Sequence, residues 1–194
     1  MDENTFVIKR KTGESDITVG LRIHGTGSSR VNTGIGFLDH MIVSLAKHSR
    51  MDIELSCAGD LHVDDHHTAE DCAIALGQAL DAALGDRSGI ARFGYAYAPL
   101  DEALSRAVVD CSGRPCAVLS LSLGPGNIGG LQAENVYHFM DSMAKSARIT
   151  LHVDVLRGEN LHHKAESAFK ALALALRAAL AADGTGVPST KGVL

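Results

Sequence analysis

The chain has 194 residues, enough for one domain or two small fused halves, and 45% of them are hydrophobic, so a real core can form. Aromatics make up 4% and Trp is absent, so that core is expected to be built from Ala, Leu, Val and Ile. The net charge of -5 excludes the basic excess usual in nucleic-acid binders, and the most apolar stretch, 165–182, is broken by Lys170 and Arg177, which argues against a membrane span.

The first eleven residues are polar and mixed in charge, unlike a secretory leader. Cys57, Cys72, Cys111 and Cys116 form no Cys-x-x-Cys pair, and Cys57 and Cys72 lie in apolar-patterned segments. Four reduced thiols in a soluble, cytoplasmic protein are expected.

Taken in chain order, Ile17, Val19, Leu21 and Ile23 alternate with polar or small residues, the period of a half-buried strand. Gly25 to Ser29 reads as a loop, Phe37 to His48 as a helix and Met51 to Cys57 as a strand. A long helical pattern runs from about His67 to Leu84, with Asp64 or Asp65 as its N-cap, an acidic first turn to suit the helix dipole, and Gly85 as its stop. Beyond it, Leu104 to Val109 and Ala117 to Leu123 read as strands, and Gly124 to Gly130 as a loop. Glu134 to Ala147 reads as a helix, Ile149 to Leu156 as a strand and His162 to Ala182 as a helix, before an irregular tail.

The order strand, strand, helix, strand, helix is thus written twice. The predicted class is α+β, an internally duplicated β-β-α-β-α unit with two sheets and helices packed between them. Residues 1–87 and 88–194 are the expected halves, joined near Asp86 to Gly89.

The sharpest sign of duplication is chemical. His66-His67-Thr-Ala-Glu70 opens the last helix of the first half, and His162-His163-Lys-Ala-Glu166 opens the last helix of the second. Each follows one further histidine on the preceding helix, His40 or His138, at nearly equal distance. Residues four apart share a helix face, so His66 pairs with Glu70 and His162 with Glu166, while His67 and His163 point aside and can address a different centre. Imidazole with carboxylate suits a borderline transition metal such as Mn, Fe, Co or Zn. Six histidines and two glutamates, divided between two metals, would leave coordination positions open for substrate or water. His24, His48, His62 and His152 lack such partners and read as structural, with His62 near enough to the first motif to support it.

Arg92, Arg114 and Lys191 lie in loop contexts, where guanidinium forks and hydroxyls suit phosphate oxygens. The glycine-rich stretch 124–130 matches no P-loop and reads as turns.

Together, Phe37-Leu-Asp-His40-Met, Asp64-Asp-His-His-Thr-Ala-Glu-Asp71, Ala91-Arg-Phe-Gly94, Asp110-Cys-Ser-Gly-Arg-Pro115, Gly158-Glu-Asn-Leu-His-His163, Phe169-Lys-Ala and Pro188-Ser-Thr-Lys-Gly192 resemble the imidazoleglycerol-phosphate dehydratase family, from about Arg10 to Leu194. The chain departs from the family pattern at His24, where Asp is usual, and at Thr12-Gly13-Glu14, where Thr-Lys-Glu is usual. The resemblance implies two Mn2+ ions per active site, held by His40, His66, His67, Glu70, His138, His162, His163 and Glu166. It implies phosphate contacts from Arg92, Arg114, Ser189, Thr190 and Lys191, and a substrate-contacting carboxylate at Glu14. It further implies a hollow 24-mer with active sites at subunit interfaces, acting on imidazole glycerol phosphate with neither nucleic acid nor membrane as partner. The expected reaction removes water to give imidazole acetol phosphate in histidine biosynthesis. A metal-bound imidazolate would expel hydroxide, and Glu14 would take up the C–H proton. From the ligand set alone, a two-metal phosphate-ester hydrolase and a non-catalytic metal-binding shell stay open as alternatives.

Overall fold

The computed structural model describes residues 5–184 and 186–192; residues 1–4, Thr185 and 193–194, which include the outer limits of both expected halves, lie outside the described residues. The first half contains β1 (Phe6–Lys11), β2 (Ser15–Arg22), β3 (Ser29–Asn32), α1 (Gly36–Ser49), β4 (Asp52–Gly59) and α2 (His66–Leu84). The second contains β5 (Phe93–Leu100), β6 (Ala103–Asp110), β7 (Cys116–Ser120), a short hairpin of β8 (Asn127–Ile128) and β9 (Leu131–Gln132), α3 (Ala133–Ser146), β10 (Thr150–Arg157) and α4 (Leu161–Ala179).

The class is the α+β arrangement expected, but each half carries more strands than were read: β1 and β3 in the first, β5 and the short β8–β9 hairpin in the second. The two four-stranded sheets share one topology, β1-β2-β4-β3 and β5-β6-β10-β7. In each, the returning strand runs antiparallel to one neighbour and parallel to the other: β4 beside β2 and β3, β10 beside β6 and β7. The parallel pairs are closed by α1 and α3, the crossover helices that such pairs need.

Burial follows the period-two pattern. Ile17, Val19 and Leu21 of β2 are fully buried, as are Ala107 and Val109 of β6 and Leu151 and Val153 of β10. The helices fill the space between the sheets: α2 packs on β1, β2 and α3, and α4 packs on β5, β6 and α1. Small residues let them approach closely, with Ala165, Ala168, Ala171, Ala175 and Ala179 all buried on α4. Gly77 on α2 lies so close to α3 that a Cβ would stand 2.6 Å from the Met143 carbonyl oxygen. Among the described residues, no helix is long and apolar enough to cross a membrane. All four cysteines are free, with Cys72 and Cys111 buried, Cys57 half-buried and Cys116 exposed.

One local expectation is corrected: the first turn of α2 carries no acid, since both aspartates precede it, with Asp65 at the N-cap position. Asp64 accepts the His66 amide at 2.9 Å, whereas Asp65 turns away to the Gln132 amide at 2.6 Å and ties the helix start to β9. On α4, Asn160 caps conventionally, accepting from the amides of His162 and His163.

Candidate metal centre

The packing of α1 on α4 and of α2 on α3 exchanges the lone histidines between halves. His40 of α1 lies beside the motif of α4: its Nε2 is 3.1 Å from Glu166 Oε2, and His162 Nε2 reaches the same oxygen at 3.0 Å. Among the described residues, His40, His162 and Glu166 form the group whose donor atoms all lie within 4.8 Å of one another. On the other side His138 of α3 joins the motif of α2. Its ring centroid is 4.8 Å from that of His66, and His66 Nε2 is 3.9 Å from Glu70 Oε2. Each cluster holds two imidazoles and a carboxylate, a donor set that fits a borderline divalent cation with positions to spare.

His67 and His163 take no part in these clusters. Each ring turns about a quarter-circle from its neighbour, at 76° to His66 and 87° to His162. Nδ1 of His67 meets Asp60 at 3.0 Å and its Nε2 lies 3.5 Å from Glu14; Nδ1 of His163 meets Glu102 at 2.7 Å. Those carboxylates hold both imidazoles above the ordinary histidine pKa. Glu102 in turn is held at about 2 by His163 and by the amides of Asn160 and Glu159. With Nδ1 engaged, Nε2 is the nitrogen left to bind a metal.

Glu166 is the better-buried carboxylate, 12% exposed against 41% for Glu70. Burial would push its carboxyl up, but hydrogen bonds from Lys170, His40 and His162 outweigh that and hold it at about 2. His48 is held below the ordinary histidine value, first by burial and then by the charge of Lys170.

Glu14 sits on the turn between β1 and β2, and Asp71 anchors that turn. Asp71 accepts from Arg10 at 2.7 Å, Ser15 at 2.6 Å and Thr12 at 3.4 Å, and the Glu14 amide donates to Thr12 Oγ1 at 3.1 Å. A shallow hollow of about 320 Å³ is lined by Glu14, Asp60 and His62, which puts His62 beside Glu14.

The basic residues gather elsewhere. Arg92 binds Asp110 at 2.7 Å and donates to the Pro188 carbonyl at 2.8 Å, while Arg114 reaches Asp110 at 3.5 Å. Lys191 follows in the same segment, its amide donating to Ser189 Oγ at 3.2 Å. The Arg92 amide donates to Ala179 at the far end of α4 from Glu166. At 1.5 Å per residue that separates the two by roughly 20 Å. Within one chain, therefore, the phosphate-type residues and the nearer metal cluster do not converge. A hollow of about 520 Å³ around Arg22, Arg30, Asp52 and Glu54 contains none of the expected site residues.

Asp60, Glu102, Asn135 and Lys170 were not assigned roles by the motifs. Asn135 faces His66 Nδ1 at 2.9 Å. Only Lys170 had a readable signal, a Glu-to-Lys pair one helical turn apart. Asp60 and Glu102 reach the histidines from turns and Asn135 from another helix.

Residues 33–176 match the family model described as Imidazoleglycerol-phosphate dehydratase. The chain is similar to the Imidazoleglycerol-phosphate dehydratase of Kluyveromyces lactis, 60% identical over 216 residues that cover 99% of this chain and 98% of that protein. Its likeness to the Phytophthora nicotianae protein of the same name is 61% over 188 residues, 96% of this chain but 42% of that longer protein. The crystal structure of Imidazoleglycerol-phosphate Dehydratase from Staphylococcus aureus subsp. aureus N315 superposes with a TM-score of 0.84 at 36% identity, covering 92% of this chain and 99% of that one. With sequence, repeated motif and topology in agreement, the chain belongs to the imidazoleglycerol-phosphate dehydratase family.

Proposed function

We propose that the protein is a hydro-lyase that dehydrates imidazole glycerol phosphate to imidazole acetol phosphate, with two Mn2+ ions per active site. The observation that carries this reading is the pair of clusters, His40–His162–Glu166 and His66–Glu70–His138, each joining one half's lone histidine to the other half's motif. The name shared by the relatives supplies the substrate and the reaction.

The two clusters would hold the cations, whose positive charge would lower the pKa of the substrate's ring and so ease loss of its hydroxyl. The chain's own residues do the rest. Arg92 and Arg114, already oriented by Asp110, present guanidinium forks to the phosphate, and Ser189, Thr190 and Lys191 add hydroxyls and an ammonium. Glu14, half-exposed and 3.5 Å from His67, takes the proton from the carbon next to the leaving group.

Two observations support self-association in this reading. His67 and His163 face away from the clusters of their own chain, and the phosphate-binding set lies at the opposite end of α4 from Glu166. Active sites shared between copies bring them together, and a 24-mer is the assembly proposed. Free thiols suit the reducing cytoplasm, the compartment proposed.

The test is to strip the protein of metal, reload it with Mn2+ and add imidazole glycerol phosphate, with a chelated control. Ketone that forms only in the reloaded sample is the expected result. Phosphate release without ketone would instead establish the hydrolase alternative.

A further inference from the structure

The two donor clusters correspond through the repeat, yet their carboxylates sit in unequal fields. Glu166 offers Oε2 to both histidines, while its Oε1 is held by Lys170 Nζ at 2.8 Å, and Lys170 is itself only 21% exposed. At the matching place on α2, one turn beyond Glu70, stands Ile74. Oε1 of Glu70 meets the Ser142 hydroxyl, at 3.4 Å. Lys145, whose field reaches Glu70, is exposed and bound to Asp141 at 2.7 Å.

We propose that Lys170 makes the two metal sites unequal, so that the site of His66, Glu70 and His138 takes up a divalent cation more tightly than the site of His40, His162 and Glu166. This rests on the two-metal reading above. The carboxylate of the second site already has an ammonium on its far oxygen, so its donor set carries nearly no net charge, against one negative charge in the first. Affinity for a hard or borderline dication tracks the charge of its ligands. An incoming cation would also face the Lys170 charge across a single carboxylate, in surroundings that screen it poorly. The ion pair also holds Glu166 with Oε2 facing both histidines, an effect in the opposite direction. The loss of one unit of ligand charge is expected to weaken the second site by about tenfold or more.

The test is a titration of the metal-free protein with Mn2+, the free ion followed by electron paramagnetic resonance and the assembly by light scattering at every point. Wild-type protein should show two classes of site separated by about tenfold or more. His138→Ala should remove the tighter class and His40→Ala the weaker. Lys170→Met keeps the apolar stem and removes the charge, so it should tighten the weaker class until the two merge. Ile74→Lys, which installs the same pair on α2, should weaken the tighter class. A single class at full stoichiometry in wild type, or two classes that neither Lys170→Met nor Ile74→Lys moves, overturns the inference and leaves the metal reading intact. No Mn2+ uptake at all overturns both.

Discussion

Two histidines of each motif stand side by side in sequence yet meet different partners: His67 and His163 engage Asp60 and Glu102 through Nδ1, while His66 and His162 face Glu70 and Glu166 through Nε2. Asp60 holds His67 and raises its pKa, so the protonated ring contributes stability in the metal-free chain. A raised folded-state pKa means that this contribution is complete below the ordinary value of about 6.5 and disappears as pH rises through the raised one. The stability advantage of wild type over Asp60→Asn, in metal-free protein, should therefore be largest below about pH 6.5 and shrink above it. Thermal melts of both proteins across that range check the sign, and an advantage that grows with pH would contradict it. Asp71 acts in the opposite sense. Burial raises its carboxyl, but Ser15 and Arg10 more than compensate and hold it below the ordinary range. Its contribution is present above about pH 3.9 and is lost as acid titrates through the lowered value. Asp71→Asn should cost about 2 kcal/mol in urea denaturation and slow turnover through the displaced Glu14 turn, with Mn2+ binding retained. Full turnover in that variant would remove Asp71 from any role in placing Glu14. Residue types at helical spacing exposed the histidines and glutamates in the sequence. Asp60 and Glu102 escaped it because they come from turns, where no period marks which side chain faces which neighbour.

Among the elements, the long helices and the buried strands β2, β4, β6 and β10 were readable, since each alternates apolar and polar residues at its own period. β5 was not, because its alternation is inverted. Phe93, Tyr95 and Tyr97 face outward at 59%, 76% and 54% exposure, while Gly94, Ala96 and Ala98 face α4. The inner side must be small: a Cβ on Gly94 would stand 2.0 Å from the Ala175 carbonyl oxygen and 2.6 Å from the Ala179 amide. Both neighbours are backbone and cannot rotate away. Gly94→Ala is expected to destabilise by about 3 kcal/mol, with Gly77→Ala at the α2–α3 contact close behind. Chemical denaturation measures both, and a loss below about 1 kcal/mol would show that the helices shift to accommodate the methyl group. β3 was missed for another reason: four residues, Ser29–Asn32, are too few for a period to emerge.

At the scale of the whole molecule, the halves pack α1 on α4 and α2 on α3 and trade histidines across those contacts. Adjacent residues of a single motif then meet different partners. His162 points at Glu166 of its own chain, His163 at Glu102 and away. If active sites are shared between copies, two inactive variants can repair one another. Co-expressed His162→Ala and His163→Ala chains should recover part of the activity that each lacks alone, in assemblies purified by size. Mixed assemblies without activity would show that each chain builds its site unaided.

The sequence by itself determined the duplicated α+β class, the buried faces of the main strands, and the residue types of a candidate metal site, because periodicity and composition act locally along the chain. Tertiary structure alone decided which histidine joins which motif, which carboxylates hold His67 and His163, and that Arg92 and Arg114 lie far from Glu166. The histidine pairing depends on how α1 meets α4 and α2 meets α3, contacts between residues remote in sequence, and the carboxylates come from turns whose side-chain direction no local period encodes.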